Sequence, residues 1–162
     1  MIGAILFLLF IVAQRLVELA IAKRNTARLL ARGAREHGAG HYPLIVALHT
    51  AWIAALAVWG WDEPLHMGWL AAFAVLQVLR AWVLATLGPR WTTRIIVTDE
   101  PVVTRGPFRM IPHPNYAVVV AEIVVAPLVL GLTWVAAAFG VANLALLLLI
   151  RIPAEDRALG RT

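Results

Sequence analysis

The sequence predicts an all-α integral membrane protein of about five transmembrane helices, and three observations carry that prediction. Of the 162 residues, 62% are hydrophobic and 14% charged, against about 45–50% and 25% in an ordinary soluble domain. Apolar stretches long enough to cross a bilayer core of about 30 Å recur along the chain. The Lys and Arg outside those stretches fall only in alternate loops, as in multi-pass proteins whose basic loops stay on one side of the membrane.

The first span runs over 2–22, apolar except for Gln14, Arg15 and Glu18, and stops at Lys23-Arg24-Asn25. Ala20-Ile21-Ala22 has the small residues of a signal-peptide cleavage site, but no basic segment precedes it and charges interrupt its apolar run. Residues 23–42 then read as a polar loop with Arg28, Arg32, Arg35, Glu36, His37 and His41. The second span, 44–61, is ended by Asp62-Glu63-Pro64, and the third, 66–87, by Gly88-Pro89. Residues 90–114 form a mixed loop in which Ile95-Ile96-Val97 is too short to cross anything. A single helix over 116–150 would measure about 52 Å, so this stretch reads as a hairpin turning near Gly131-Leu132-Thr133, with Pro127 shortening its first arm. The last two spans are then 115–131 and 133–151, within one domain covering 1–162.

Five basic residues follow the first span, Arg90, Arg94, Arg105 and Arg109 sit in the long loop, and Arg151, Arg157 and Arg161 close the chain. Asp62 and Glu63 occupy the opposite side, which places the N-terminus outside and the C-terminus in the cytoplasm of a multi-pass cell-membrane protein. The basic loops follow from that topology and suit anionic membrane lipid, without nucleic acid as a partner. The absence of cysteine removes thiolate metal sites and cysteine nucleophiles. His37 and His41 are four apart, but Gly38 and Gly40 break the helix that would align them and no third ligand is evident, so no metal is expected. Trp52, Trp59, Trp61, Trp69 and Trp91 suit anchoring at the membrane interface.

Charges inside spans are costly, of order 2.5–3.5 kcal/mol each, and mark function or a paired structural site. Arg15, Glu18, Arg80 and Glu122 stand there. Arg15 and Glu18 share a helix face, so pairing within the helix explains them as well as a substrate role does. Glu122 meets Arg80 or Arg15 from another helix, and the sequence leaves open which. A second cluster precedes the fourth span, where two prolines bracket His113 and Pro114 suits the first turn of a helix. His113 and Tyr116, three apart, then face one pocket, with Arg105 and Arg109 near.

Gly106-Pro107-Phe108-Arg109, then His113-Pro114-Asn115-Tyr116, an apolar hairpin and Arg151-Ile152-Pro153-Ala154-Glu155-Asp156-Arg157 resemble the isoprenylcysteine carboxyl methyltransferase family of integral membrane enzymes, over roughly 87–159. The N-terminal half, with Arg15-Leu16-Val17-Glu18-Leu19 and Gly38-Ala39-Gly40-His41-Tyr42-Pro43, is similar to the small bacterial members associated with type III polyketide synthases, which O-methylate alkylpyrones. The resemblance implies an S-adenosylmethionine site without a Rossmann domain, formed by the cytoplasmic loop and the C-terminal segment, and the chain offers no Gly-x-Gly-x-x-Gly loop. It implies cofactor-binding roles for His113, Pro114, Tyr116, Arg109, Arg151 and Glu155, with Glu155 holding a polar group of the cofactor and Arg151 bracing the region. The family has a basic residue directly before the His. Here Pro112 stands in that place, and Arg109 is the cation expected to serve instead.

The implied reaction moves a methyl group to an oxygen of a lipophilic acceptor, an alkylpyrone-like polyketide, with a functional link to a type III polyketide synthase. Arg15, Arg80 and Glu122 are the residues expected to carry catalysis by lining the acceptor's head-group pocket. An ionised enol needs positioning more than a base, whereas a phenol would need one, from His113 or Glu122. Prenylcysteine or amine-lipid methylation and nicotinamide-dependent reduction are the enzymatic rivals. A scaffold or transporter subunit, with the four buried charges as a structural network, is the non-enzymatic one.

Overall fold

The computed structural model describes residues 1–160, so Arg161 of the basic tail lies outside the described residues. Five helices run up and down in chain order: α1 (Ile2–Ala31), α2 (Tyr42–Gly60), α3 (Met67–Leu87), α4 (Pro114–Val129) and α5 (Thr133–Leu146). A π-helical segment, Leu147–Arg151, carries α5 without a break into a short α6 (Ile152–Ala158). The chain is an all-α membrane protein. Four of its helical stretches are long and apolar enough to cross a bilayer, and α4, with 16 residues, is the shorter fifth.

The brevity of α4 follows from its place and its end. Its residues Val118, Glu122, Ile123, Ala126, Pro127 and Val129 are buried, so neighbouring helices, not lipid, surround much of it, and it need not match the hydrocarbon thickness alone. Pro127 sits in its last turn, where its carbonyl receives the amides of Leu130 and Leu132. The chain reverses through Gly131, whose φ of 70° is strained for any residue with a Cβ. A Cβ there would also lie 2.9 Å from His66 Nε2. The expected hairpin turn is therefore present, with α4 ending two residues earlier than 131.

Two further departures from expectation lie at the end that carries the long loops. The first helix continues nine residues beyond Ala22, because Lys23–Ala31 contains no Gly or Pro and leaving the bilayer does not by itself unwind a helix. Gly33, at φ 91°, follows its end. Asn25 on this extension is buried and donates to the carbonyl oxygens of Trp91 at 2.9 Å and Gly88 at 3.3 Å, tying the helix to the loop after α3. The second departure is a two-stranded antiparallel ribbon, β1 (Arg35–His37) with β2 (Ile95–Val97), pairing Glu36 with Ile96. Arg94 secures it by a 2.8 Å ion pair to Glu36 and by standing over the Tyr42 ring at 4.6 Å.

The apolar core lies toward the opposite end, where Phe7 and Ile11 of α1, Trp52 and Leu56 of α2, Phe73 of α3 and Ile123 of α4 pack together. Phe7 meets Phe73 edge to face at 5.1 Å, a favoured aromatic geometry. Outward-facing Leu6, Leu9, Leu16, Val75, Val78 and Leu149 are exposed, as an apolar surface turned to lipid should be. That arrangement leaves the loop end free to form a cavity.

Candidate functional site

The four charges inside the spans form one closed network. Glu122 is fully buried and accepts from both arginines: Arg80 through Nε at 2.6 Å and again through a second, shorter contact, and Arg15 through a terminal nitrogen at 2.7 Å. Gln77 adds a bond at 3.0 Å. Glu18 takes the remaining arms of Arg15 at 3.0 Å and Arg80 at 3.3 Å, and Gln14 donates to it at 3.0 Å. Both cations left open as partners of Glu122 bind it at once, and Arg15 also pairs with Glu18 within its own helix. Two guanidiniums and two carboxylates cancel in charge, the condition under which buried ions are tolerable. Arg15 retains one buried donor, Nε, without a partner.

The second cluster forms where α4 begins and α5 ends. Pro114 opens α4 and is buried, and the rings of His113 and Tyr116 stack at 5.5 Å. The Tyr116 hydroxyl donates to Glu155 in a very short contact and accepts from Arg151 Nε at 3.0 Å. Arg151 also donates to the Thr93 carbonyl at 2.8 Å, so it ties the last helix to the segment before β2. His113 lies 3.6 Å from Glu155 and 3.2 Å from Asp156. His113, Tyr116, Arg151 and Glu155 thus meet in one place. Arg109 does not join them. It is exposed on its 3-10 turn and outside the cavity wall, where Pro112 stands instead.

A cavity of about 320 Å³ connects the two clusters. It is walled by Thr93, His113, Tyr116, Arg151 and Glu155 of the loop-end cluster and by Arg15, Glu18 and Arg80 of the buried network, with His49 of α2 and Asn143 of α5 also on its wall. Glu122 lies behind this wall, so of the three expected head-group residues Arg15 and Arg80 line the space and Glu122 holds them from behind. Leu19 of α1 and Val46 of α2 also line the cavity, and both are exposed. Two apolar side chains from neighbouring helices thus border the polar space.

The π turn sets what faces this space. In α geometry each four-residue step overshoots a full turn by about 40°, so Asn143, Leu147, Arg151 and Glu155 would drift apart by about 120° over three steps. The wider turn of Leu147–Arg151 undershoots and offsets the drift. All four residues consequently line the cavity.

His49 and Asn143 are wall residues that a search limited to Arg, Lys, Asp and Glu within spans passes over. His49 Nδ1 lies 2.9 Å from the Ile45 carbonyl. A carbonyl only accepts, so Nδ1 carries the proton, and Nε2 holds the lone pair when the ring is neutral. Asn143 is 1% exposed with neither amide atom paired. A strongly polar side chain in the middle of a largely apolar helix is the signal that would have found each.

The donor set fits S-adenosylmethionine. The Glu155 carboxylate on the cavity wall suits an ammonium group, Arg151 suits a carboxylate, and Thr98 Oγ1 and the Asn143 amide are buried without partners on the same wall. Among the described residues no cluster of three or more potential metal ligands occurs.

Comparison with known proteins points the same way. The sequence model of the isoprenylcysteine carboxyl methyltransferase (ICMT) family matches residues 69–161. The chain is 37% identical to the uncharacterised protein YpbQ of Bacillus subtilis (strain 168), over 95% of each chain. No solved structure matches.

Proposed function

We propose that this chain, which belongs to the isoprenylcysteine carboxyl methyltransferase family, moves a methyl group from S-adenosylmethionine to an oxygen of a lipophilic acceptor bearing an acidic ring hydroxyl, an alkylpyrone-like polyketide. Membership makes it a membrane methyltransferase, and S-adenosylmethionine is the methyl donor that such family members generally use. The observation that carries the reading is the single cavity joining the His113–Tyr116–Glu155 cluster to the Arg15–Arg80 network and bordered by the exposed apolar residues Leu19 of α1 and Val46 of α2. A water-soluble cofactor reaches it from the loop end, and an apolar tail reaches it from the bilayer past Leu19 and Val46. A scaffold has no use for such a junction.

When bound, S-adenosylmethionine supplies a sulfonium methyl group that passes to a nucleophilic oxygen held in line with the S–CH₃ bond. His113, Tyr116, Arg151 and Glu155 hold the cofactor. Arg15 and Arg80, oriented by Glu122, position the acceptor's head group. Their charge is already matched by Glu18 and Glu122, so they supply oriented donors and not net positive charge. For an acceptor that arrives protonated, His49 Nε2 takes the hydroxyl proton. It faces the cavity, as Glu122 does not. Methylation of a lipid made by a type III polyketide synthase would place such an enzyme directly after it.

The test is incubation of detergent-purified protein with labelled S-adenosylmethionine and a panel of long-chain pyrones, resorcinols, prenylcysteines and fatty acids. Pyrone turnover is expected. His113→Ala and Glu155→Ala should each weaken cofactor binding by at least about tenfold, the value of a hydrogen bond to a charged group, without unfolding the protein. An unchanged dissociation constant in both variants removes the cofactor-site assignment. Methylation of prenylcysteine with no turnover of any pyrone removes the acceptor assignment alone.

The proposal includes an orientation, with the N-terminus outside and the loop end cytoplasmic, because that end carries the basic loops. Impermeant maleimide applied to intact cells should label a cysteine introduced at Asp62 and spare one at Arg28. The opposite pattern would invert the protein in the membrane.

A further inference from the structure

We infer that Asn143 reads the edge of the cofactor's adenine, which goes beyond the cluster of residues assigned above and rests on the cofactor reading of that site. Asn143 lies on α5 with 1% of its surface exposed, and both its Nδ2 and its Oδ1 are buried without a partner on the cavity wall. A buried amide left unpaired costs of order 1–3 kcal/mol. In an apolar helix a leucine would avoid that cost, so the residue is best explained by a ligand that pairs with it.

The ligand must accept from Nδ2 and donate to Oδ1. A carboxylate accepts but cannot donate, and a sulfonium does neither; a ribose hydroxyl can do both, and it is told from adenine by a loss of affinity in Asn143→Leu that is equal for the adenine and inosine forms. Adenine presents an amino donor directly beside a ring-nitrogen acceptor, the pairing that Asn side chains make with this base elsewhere. The apolar side chains of Leu146 and Leu147 flank Asn143 on the same wall and suit the faces of a flat purine. Arg151 is eight residues farther along the same face, roughly 12 Å along the axis. A nucleoside joined to an amino acid can bridge that interval, with its base at Asn143 and its charged end at Arg151 and Glu155. The π turn between them keeps both ends on one side of the helix.

The experiment measures binding of S-adenosylhomocysteine and of its inosine counterpart, in which an oxygen replaces the amino group, by calorimetry in detergent. Wild-type protein should bind the adenine form about 10- to 100-fold more tightly, the span expected for one bidentate pair. Asn143→Leu should lose that preference by weakening the adenine form alone, while its thermal unfolding midpoint stays level or rises. Asn143→Asp, which keeps the shape and loses the donor, should also weaken the adenine form. Equal affinity of wild type and Asn143→Leu for S-adenosylhomocysteine would overturn the inference. So would a loss of affinity in Asn143→Leu that is the same for the adenine and inosine forms. Failure of the wild-type protein to bind S-adenosylhomocysteine at all would instead remove the cofactor reading on which the inference stands.

Discussion

Glu122→Gln is expected to be the most destabilising conservative substitution in the chain, costing about 3–5 kcal/mol. The carboxylate is fully buried and holds Arg80 and Arg15 at once, and removing its charge leaves Glu18 as the one carboxylate in the network for two guanidiniums. Neither is fully hydrated where it stands, since Arg80 is buried and the Arg15 side chain is only 15% exposed. The measurement is equilibrium unfolding in mild detergent, with monodispersity on gel filtration as a second readout. A double replacement separates charge imbalance from lost packing. Glu122→Leu with Arg80→Met leaves Arg15 paired with Glu18, and it should recover much of what Glu122→Leu alone loses. A Glu122→Gln protein within about 1 kcal/mol of wild type would show that the network is not the keystone of the helix packing.

Arg151→Leu is expected to have the largest effect on cofactor binding, more than about tenfold, since charged hydrogen bonds are worth about 1.5–3 kcal/mol each. Arg151 is buried and touches both sides of the site: its Nε meets the Tyr116 hydroxyl and its terminal nitrogen the Thr93 carbonyl. Without it the Tyr116–Glu155 contact loses its adjacent cation, and the last helix loses its tie to the loop before β2. Arg151→Lys keeps the charge but not the two-armed geometry, so it should recover only part of the loss. Titration calorimetry on both variants checks this, and a dissociation constant within twofold of wild type for Arg151→Leu would remove the residue from the site.

What the sequence revealed and what it hid divide along a physical line. Helices in lipid announce themselves locally, because every backbone group must be satisfied within the segment and its side chains must be apolar. Hence the five helices and the turn at Gly131 were legible, as were the charges that violate the rule. His113 and Tyr116 were also legible as a pair, since the proline after the histidine starts the helix that sets their spacing. Pairing across the molecule was not. β1 and β2 have three residues each, and their register depends on contacts between segments about sixty positions apart. Whether Glu122 meets Arg15 or Arg80 depends on how three helices rotate about their axes, which hydropathy does not encode. Arg109 shows the converse, a cation close to His113 in sequence and yet turned away from the cavity.

The π segment has a consequence for how the last helix tolerates change. Losing one residue from Leu147–Arg151 would remove the surplus that the wide turn absorbs. Regular winding would then set Arg151 seven positions from Asn143, about 20° short of two full turns, so Arg151 and Glu155 would stay near the face that Asn143 occupies. Winding the segment regularly with every residue kept would instead carry Arg151 about 80° off that face. A single-residue deletion here should therefore be tolerated far better than a single-residue insertion in the regular helix before it, which would turn the same groups by about 100°. The same arithmetic governs chimeras with other membrane helices: a regularly wound donor segment must be one residue shorter than this stretch to present the same face.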